Sequence, residues 1–573
     1  MFASNSNNQN RSSGLAPAIV DTLQQLEDKA YKLLAAKSSP VDKYMFLSFI
    51  RSTNVDLFFR LVLKHLTEIA PIIYTPTIGE VCQNFSNLYS FLAPPGNVNG
   101  LYIPIDQVDN IDGIINNYIH SSSNVQIPEI TVITDGSRIL GLGDLGLNGM
   151  GIPIGKLQLY VAGAGLNPHK TLPIVLDFGT NNETYLNDPN YLGLKRRRPD
   201  EAEFYSCIDK VLKGLNRNFP KMFIQFEDFS TDNAFGILEK YRNKYLCFND
   251  DIQGTGSVIM SGFINAIRLS GKSPLDHKIL FCGAGSAAVG VADCLVEYFV
   301  FDCGISYDKA RSMFYLVDTK GLITLNRGDN LAKHKVPYAR KDNGILQYKT
   351  LEESIQYVKP TAIIGLSTVH GHFSPQIISR LTELNSPNRP IIFPLSNPET
   401  KAECTFEDAM IYSNNSVIFA SGTAFPKYTI PGTSITRTPG QGNNMYVFPS
   451  IGLGSVLANP KHVTNSMIYS ISKALANSLN ASEKESENLY PELDRLREVS
   501  AELTSAFIHQ SVAEGLAQDE FWINLATTSP VNGPAPTKEN PTGSFSQSVL
   551  RAVKEKMWSP AEFLKVKEIK SNM

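Results

Sequence analysis

No run of 18 apolar residues occurs anywhere in the 573-residue chain, so no membrane-spanning helix is expected. Neither sign of charge predominates. Lys and Arg number 52 against 55 Asp and Glu, and without a basic excess neither nucleic acid nor an anionic membrane is an expected partner. The seven cysteines (Cys82, Cys207, Cys247, Cys282, Cys294, Cys303, Cys404) form no CxxC pair and mostly sit inside apolar runs. That pattern predicts buried thiols in a reducing compartment and no disulfide framework. Internal repeats are absent, and low complexity is confined to the first dozen residues. The stretch Met1 to Gly14 has no apolar segment, so no secretory signal is expected. It also has no acids and a single Arg, so a mitochondrial presequence stands as the alternative to the expected cytoplasmic location.

Small-molecule chemistry is left as the expectation. The chain is too long for one core, and its patterning predicts an α/β fold in several parts. Residues 1–70 read as a helical lead-in, with apolar spacing from Ile19 through Leu61 and Val62, stopped at Pro71. Residues 71–250 read as a first α/β unit for substrate and metal. Its strands are expected at Ile130–Ile133, Arg138–Leu140, Leu172–Leu176 and Phe223–Asp228, with helices at Ile154–Ala162 and Phe204–Leu215 between them. Arg196-Arg-Arg-Pro199 reads as a solvated loop. Residues 251–515 read as a doubly wound, Rossmann-type dinucleotide-binding domain with returning helices, and 516–573 as a linker and charged tail.

The chemistry begins at Phe223-Ile-Gln-Phe-Glu-Asp-Phe229 and Cys247-Phe-Asn-Asp-Asp-Ile-Gln-Gly-Thr255. Each is an apolar, strand-like run that ends in paired acids and precedes a helical pattern. Neighbouring side chains of a strand point to opposite faces, so Glu227 and Asp228 can share a target only where the chain turns out of the sheet. Crowded carboxylates repel unless a cation sits among them, and a hard divalent ion such as Mg²⁺ or Mn²⁺ would serve. Acids at strand ends also cap helices, and either pair alone is served as well by that reading; Ser230 or Thr231 is a further candidate cap.

Gly283-x-Gly285-x-x-Ala288, with Ser286 and Ala287 between, follows an apolar strand and opens a long apolar helix. It matches the dinucleotide fingerprint, whose glycines admit a pyrophosphate to the backbone at a helix N-terminus. The acid expected about 20 residues on is Asp318, 35 residues after Gly283, which requires a longer crossover. A second match, Gly141-x-Gly143-x-x-Gly146, is expected not to open a helix, because Asn148 to Pro153 reads as continued loop; it reads as a flexible wall instead. Lys156 lies in an apolar helical run. Burial would lower its pKa toward that of a usable base, although a lysine in such a place can also snorkel. Arg138 before the glycine loop is either a carboxylate fork or an ordinary ion pair, and Tyr74 before Thr-Pro is either functional or half-buried packing.

Taken together these residues closely resemble malic enzymes. The likeness runs in order through Tyr74-Thr-Pro-Thr-Ile-Gly79, Thr134-Asp-Gly-Ser-Arg-Ile-Leu-Gly-Leu-Gly-Asp-Leu-Gly146, Gly149-Met-Gly-Ile-Pro-Ile-Gly-Lys-Leu157, Gly179-Thr-Asn-Asn-Glu183, Phe226-Glu-Asp-Phe229, Phe248-Asn-Asp-Asp-Ile-Gln-Gly-Thr255, Gly283-Ala-Gly-Ser-Ala287, Pro394-Leu-Ser-Asn-Pro398 and Gly440-Gln-Gly-Asn-Asn444. The resemblance implies divalent-metal-dependent oxidative decarboxylation of L-malate to pyruvate and CO₂ with reduction of NAD(P)⁺, in a tetramer built from dimers. It implies Glu227, Asp228 and Asp251 as metal ligands and Lys156 as the base, with Asp250 close by. Tyr74 would protonate the enol, Arg138 would clamp a malate carboxylate, and Asn397, Asn443 and Asn444 would line the substrate and nicotinamide pocket. By the same resemblance Thr319 and Lys320 after Asp318, with Lys335, favour NADP over NAD, since cations there would pair with a 2′-phosphate. Thr53 stands where members activated by fumarate carry arginine, so no fumarate activation is expected. A malolactic enzyme, which yields no net reduced cofactor, and a non-catalytic nucleotide-binding paralogue are the alternatives.

Overall fold

A computed structural model describes residues 21–121 and 126–560, and the expectations for Met1 to Gly14, Ile19 and the end of the C-terminal tail lie outside them. The chain divides into two compact units, Met1–Asn99 with Ser559–Met573, and Gly100–Trp558.

The N-terminal unit is helical. Its helices Leu23–Ala35, Pro40–Thr53 and Val55–Lys64 start at Thr22, Ser39 and Asn54, whose side chains accept from backbone N–H groups of the first turn, as capping chemistry requires. Glu27 is buried here and paired with Arg60 and Lys64. Pro71 does not stop the helical run as expected. It sits inside Leu66–Ile73, where its missing N–H removes one bond of a short helix, and the helix ends only at Tyr74, its C-cap.

The larger unit holds two sheets. The first consists of β1 (Leu101–Pro104), β2 (Ile130–Thr134), β3 (Thr171–Asp177), β4 (Phe223–Phe226) and β5 (Cys247–Asn249), all parallel, in the order β1-β3-β2-β4-β5. β1 was not foreseen, nor was the helix Ile111–His120 that follows it. Residues 138–140, expected as a strand, form a turn instead. Ile139 makes only an isolated bridge to Gly143, because Gly136 and Leu140, both at positive φ, bend the backbone on either side. The helix expected at Ile154–Ala162 spans Gly151–Ala164 and follows directly on a 3₁₀ turn at Gly146–Met150. The second glycine match therefore does run into helical structure, and Pro153 is tolerated because the first-turn N–H groups have no partners to lose. Every residue of that helix is buried, so it is covered on all sides.

The second sheet consists of β6 (Ile279–Cys282), β7 (Phe314–Asp318), β8 (Gly321–Leu322), β9 (Ala362–Gly365), β10 (Ile391–Pro394), β11 (Ile418–Ser421) and β14 (Gly440–Gln441), in the order β14-β11-β10-β9-β6-β7-β8. A small antiparallel pair, β12 (Tyr428–Thr429) and β13 (Thr436–Arg437), stands apart. Only the β7–β8 hairpin within the second sheet is antiparallel. Strand order reverses between β6 and β9, the doubly wound topology that leaves a crevice at the carboxyl ends of those two strands. The α/β fold class and the Rossmann-type second domain are therefore as expected.

Two histidines are buried in this unit. His277 lies between Ser270 and Thr361, and His509 against Ser546. Burial pushes both down to about 4, whereas an unfolded His titrates near 6.5. Between those values the unfolded chain holds more protons, so their stability contribution is complete above about pH 6.5 and is lost as pH falls toward 4. The sum reaches about 3 kcal/mol per histidine. Thermal melts of His277→Gln at pH 7 and pH 4.5 are expected to show a flatter acid loss than the parent; an unchanged slope would contradict this.

Candidate functional site

The acid pairs meet because of register. β4 and β5 are adjacent and parallel with Phe226 opposite Asn249, so both acid pairs emerge at the same carboxyl edge. Glu227 still pairs with the sheet through its N–H to the Ile133 carbonyl at 2.9 Å. Asp228 then adopts φ +55°, a left-handed conformation available to Asp at modest cost. That turn frees it from the alternation of the strand and lets it join Glu227. Its own N–H donates to Asp251 Oδ2 at 2.8 Å. One oxygen from each of Glu227, Asp228 and Asp251 lies within 4.8 Å of the others. The helix after Asp228 starts at Thr231 with Ser230 in the cap position, but neither expected cap operates: the Ser230 hydroxyl makes no cap bond, and Thr231 accepts from the Arg138 guanidinium.

Burial first, then the crowding of Asp251, Asp250 and Asp228, pushes the Glu227 carboxyl well above its usual range against the opposing pull of Lys156. Asp228 is raised well above its range by burial and then by Asp251, and Asp251 is raised by burial with Asp250 adding to it. Asp228 Oδ2 is buried without a hydrogen-bond partner. An orphaned carboxylate oxygen among three converging acids is a donor set suited to a hard divalent cation.

Lys156 is 3% exposed. Its ammonium bridges the two strand ends, 3.0 Å from Glu227 Oε1 and hydrogen-bonded to Asp250 Oδ2, and it stands 4.4 Å from the centroid of the Phe448 ring. It therefore does not snorkel; the acids supply the compensation that its apolar helix cannot. Asn444 completes this group, donating to Asp250 Oδ2 at 3.2 Å and to Thr255 at 3.0 Å. Asn443 uses its side-chain oxygen to cap the following turn at Met445. Arg138 is exposed, and its backbone N–H donates to the Asp228 carbonyl at 3.2 Å, tying the glycine loop to the acids. Tyr74 belongs to the N-terminal unit, half-buried at its helix C-cap.

The dinucleotide fingerprint sits at the reversal of strand order. Gly283 has φ +116°, and a Cβ there would stand 2.4 Å from the Leu366 carbonyl just beyond β9, so only glycine allows the two strand ends to approach this closely. Gly285 is the N-cap of helix Ser286–Cys303 and faces open space, as a pyrophosphate cradle requires. Ala287 is exposed and Ala288 buried. The same helix packs on the acid-bearing turn, for a Cβ at Gly290 would stand 3.6 Å from Ile252, the neighbour of Asp251. Asn397 is exposed just past β10, and the adjoining Pro398 borders Gly141 of the glycine loop.

At the end of β7, Asp318 is gripped by Arg327 at 2.7 and 3.0 Å and by Lys335 at 3.0 Å. Although burial opposes it, the hydrogen bonds from Arg327 and Lys335 bring the Asp318 carboxyl down to about 2. Thr319 and Lys320 are exposed, and Lys320 reaches Asp329 at 3.1 Å. Arg327 was missed in the sequence, where its only sign is a guanidinium between turn residues, Asn326 and Gly328. Two further residues were missed. Glu403, fully buried, accepts from Ser367 and Ser396 and so ties together the loops after β9 and β10. Arg198, expected in a solvated loop, is half-buried and turns its guanidinium onto Asp144 at 2.7 Å and Asp135 at 3.2 Å, two acids of the glycine loop; Arg196 and Arg197 are the solvated members.

Residues 51–242 match the family described as "Malic enzyme, N-terminal domain", and 252–512 match "Malic enzyme, NAD binding domain". The NADP-dependent malic enzyme of Dictyostelium discoideum is 46% identical over 505 residues, covering 88% of this chain and 90% of that protein. The NAD-dependent malic enzyme of Acinetobacter baylyi is 39% identical over 527 residues, covering 89% and 90%. Among solved structures, the Entamoeba histolytica malic enzyme aligns over 96% of this chain and 95% of its own with a TM-score of 0.53 at 19% identity, a likeness of fold.

Proposed function

This chain belongs to the malic enzyme family, and from that premise we propose roles for its residues. It is an oxidoreductase that converts L-malate to pyruvate and CO₂ with reduction of NAD(P)⁺. The observation that carries the assignment of roles is the convergence of Glu227, Asp228 and Asp251 beside the buried Lys156–Asp250 pair.

Glu227, Asp228 and Asp251 would hold Mg²⁺ or Mn²⁺, which would supply a Lewis acid to polarise the malate oxygens and offset the negative charge that develops as CO₂ leaves. Lys156 accepts the proton of the C2 hydroxyl, with Asp250 and Asn444 keeping its amine in place. Gly283, Gly285 and the N-terminus of helix Ser286–Cys303 would hold the diphosphate of the dinucleotide, which would supply the hydride acceptor. Arg138 clamps a malate carboxylate, and Asn397 and Asn443 line the pocket. Tyr74 returns a proton to the enol carbon. The protein acts as a homo-oligomer, a tetramer built from dimers, in the cytoplasm.

NADP is the preferred cofactor. Arg327 and Lys335 already neutralise Asp318, which removes the repulsion that a lone acid would exert on a 2′-phosphate. Lys335→Gln is expected to raise KM for NADP by about tenfold, one lost charge-assisted bond, with little change for NAD. Equal changes for both would defeat the assignment. Initial rates with malate, Mn²⁺ and either dinucleotide, with and without chelator, test the whole scheme; full activity in chelator would remove the metal from it.

A further inference from the structure

The rotamer of Glu227 is set from behind. Gln225 lies two residues earlier on β4, on the same face, and is fully buried. Its Nε2 donates to Glu227 Oε2 at 2.6 Å, while Oε1 of the same carboxylate is the oxygen that meets Lys156 at 3.0 Å. The orientation of the Gln225 amide is fixed in turn by Tyr160, whose hydroxyl donates to Gln225 Oε1. Tyr160 stands one helical turn beyond Lys156 on the same helix face. Burial, and then the charge of Asp250, raises its hydroxyl well above the usual range, so it remains a donor. Its ring packs edge-on against Phe448 at 4.8 Å, and Gly452 leaves space for it, since a Cβ there would stand 2.3 Å from the ring. Phe448 is also the ring beneath the Lys156 ammonium. Base and carboxylate are thus held from a shared support.

We propose that Tyr160 and Gln225 are positioning residues for the cation site: the chain Tyr160–Gln225–Glu227 occupies one oxygen of Glu227 and presents the other. The inference rests on the reading of Glu227 as a ligand of the divalent ion. Partners behind a ligating side chain commonly contribute 10–100-fold to metal affinity.

The test titrates Mn²⁺ into metal-free, full-length protein by calorimetry, without turnover, and follows NADPH binding by fluorescence. Gln225→Met keeps the length and removes the donor; Tyr160→Phe keeps the ring and removes only the hydroxyl. Gln225→Met is expected to weaken Mn²⁺ by about 10–100-fold and Tyr160→Phe by about 3–10-fold. NADPH affinity should be unchanged, and in steady state the apparent KM for Mn²⁺ should rise more than kcat falls. If the parent binds Mn²⁺ and both variants bind it equally well, the positioning role is overturned while the metal site stands. If the parent does not bind Mn²⁺, the metal site itself is overturned and this role with it. Should Gln225→Met fail to fold, Tyr160→Phe alone decides, and parent-like Mn²⁺ affinity in it overturns the role.

Discussion

Lys156→Arg is expected to fold with near-parental stability and to lose about 10³-fold in kcat. The expectation comes from separating the two duties of the lysine. As a cation it compensates Glu227 and Asp250, both buried, and removing one member of a buried ion pair costs about 3–5 kcal/mol. As a base it must give up its proton, and general base catalysis typically contributes 10²–10⁴-fold. Arginine performs the first duty and not the second, because a guanidinium does not deprotonate in a protein. Lys156→Ala forfeits both, so it should be as inactive as Lys156→Arg and several degrees less stable. Steady-state rates with saturating malate, read beside thermal melts, separate the cases. A Lys156→Arg enzyme within tenfold of the parent would remove the lysine from the proton transfer.

Asp228→Asn is expected to abolish Mn²⁺-dependent turnover while making the metal-free protein more stable. Asparagine tolerates the left-handed backbone at φ +55°, so the turn should survive and only the charge is lost. Burial and the neighbouring Asp251 disfavour the charged form of this carboxyl in the folded state, so its ionisation opposes folding as pH rises above the unfolded value of about 4. Replacing it should raise Tm in chelator by about 2–4 °C, while Mn²⁺ affinity falls by about 100-fold or more. Loss of binding together with a lower Tm would mean that the acids support the fold instead of burdening it.

The features legible in the sequence were those written in local pattern. β6, β9 and β10 are unbroken apolar runs closed by turn residues, and the glycines of the cradle stand between strand and helix. β1 was lost because Leu101-Tyr-Ile-Pro104 is short and ends in proline, which reads as a loop until β3 pairs with it. Residues 138–140 failed in the opposite way: two aliphatic residues beside an arginine look extended, but the neighbouring positive φ values decide the conformation. Pro71 was misread because a proline inside a helical run ordinarily breaks it, whereas Leu66–Ile73 continues two residues past it. The site was legible as composition, four acids and a lysine, and not as geometry. Neither the left-handed Asp228 nor the pairing of Arg327 with Asp318, nine residues apart across a hairpin, leaves a periodic trace. Gln225 is hidden for the same reason, being one polar letter in an aromatic strand.

The contact between Gly290 and Ile252 bears on how the two cofactors would sense one another. The helix whose first turn would receive the diphosphate touches, one turn later, the segment that carries Asp250 and Asp251. If ordering one end restricts the other, the two binding free energies are linked, and such linkage is reciprocal. Whatever factor the dinucleotide gains when the ion is already seated, the ion must gain when the dinucleotide is seated first.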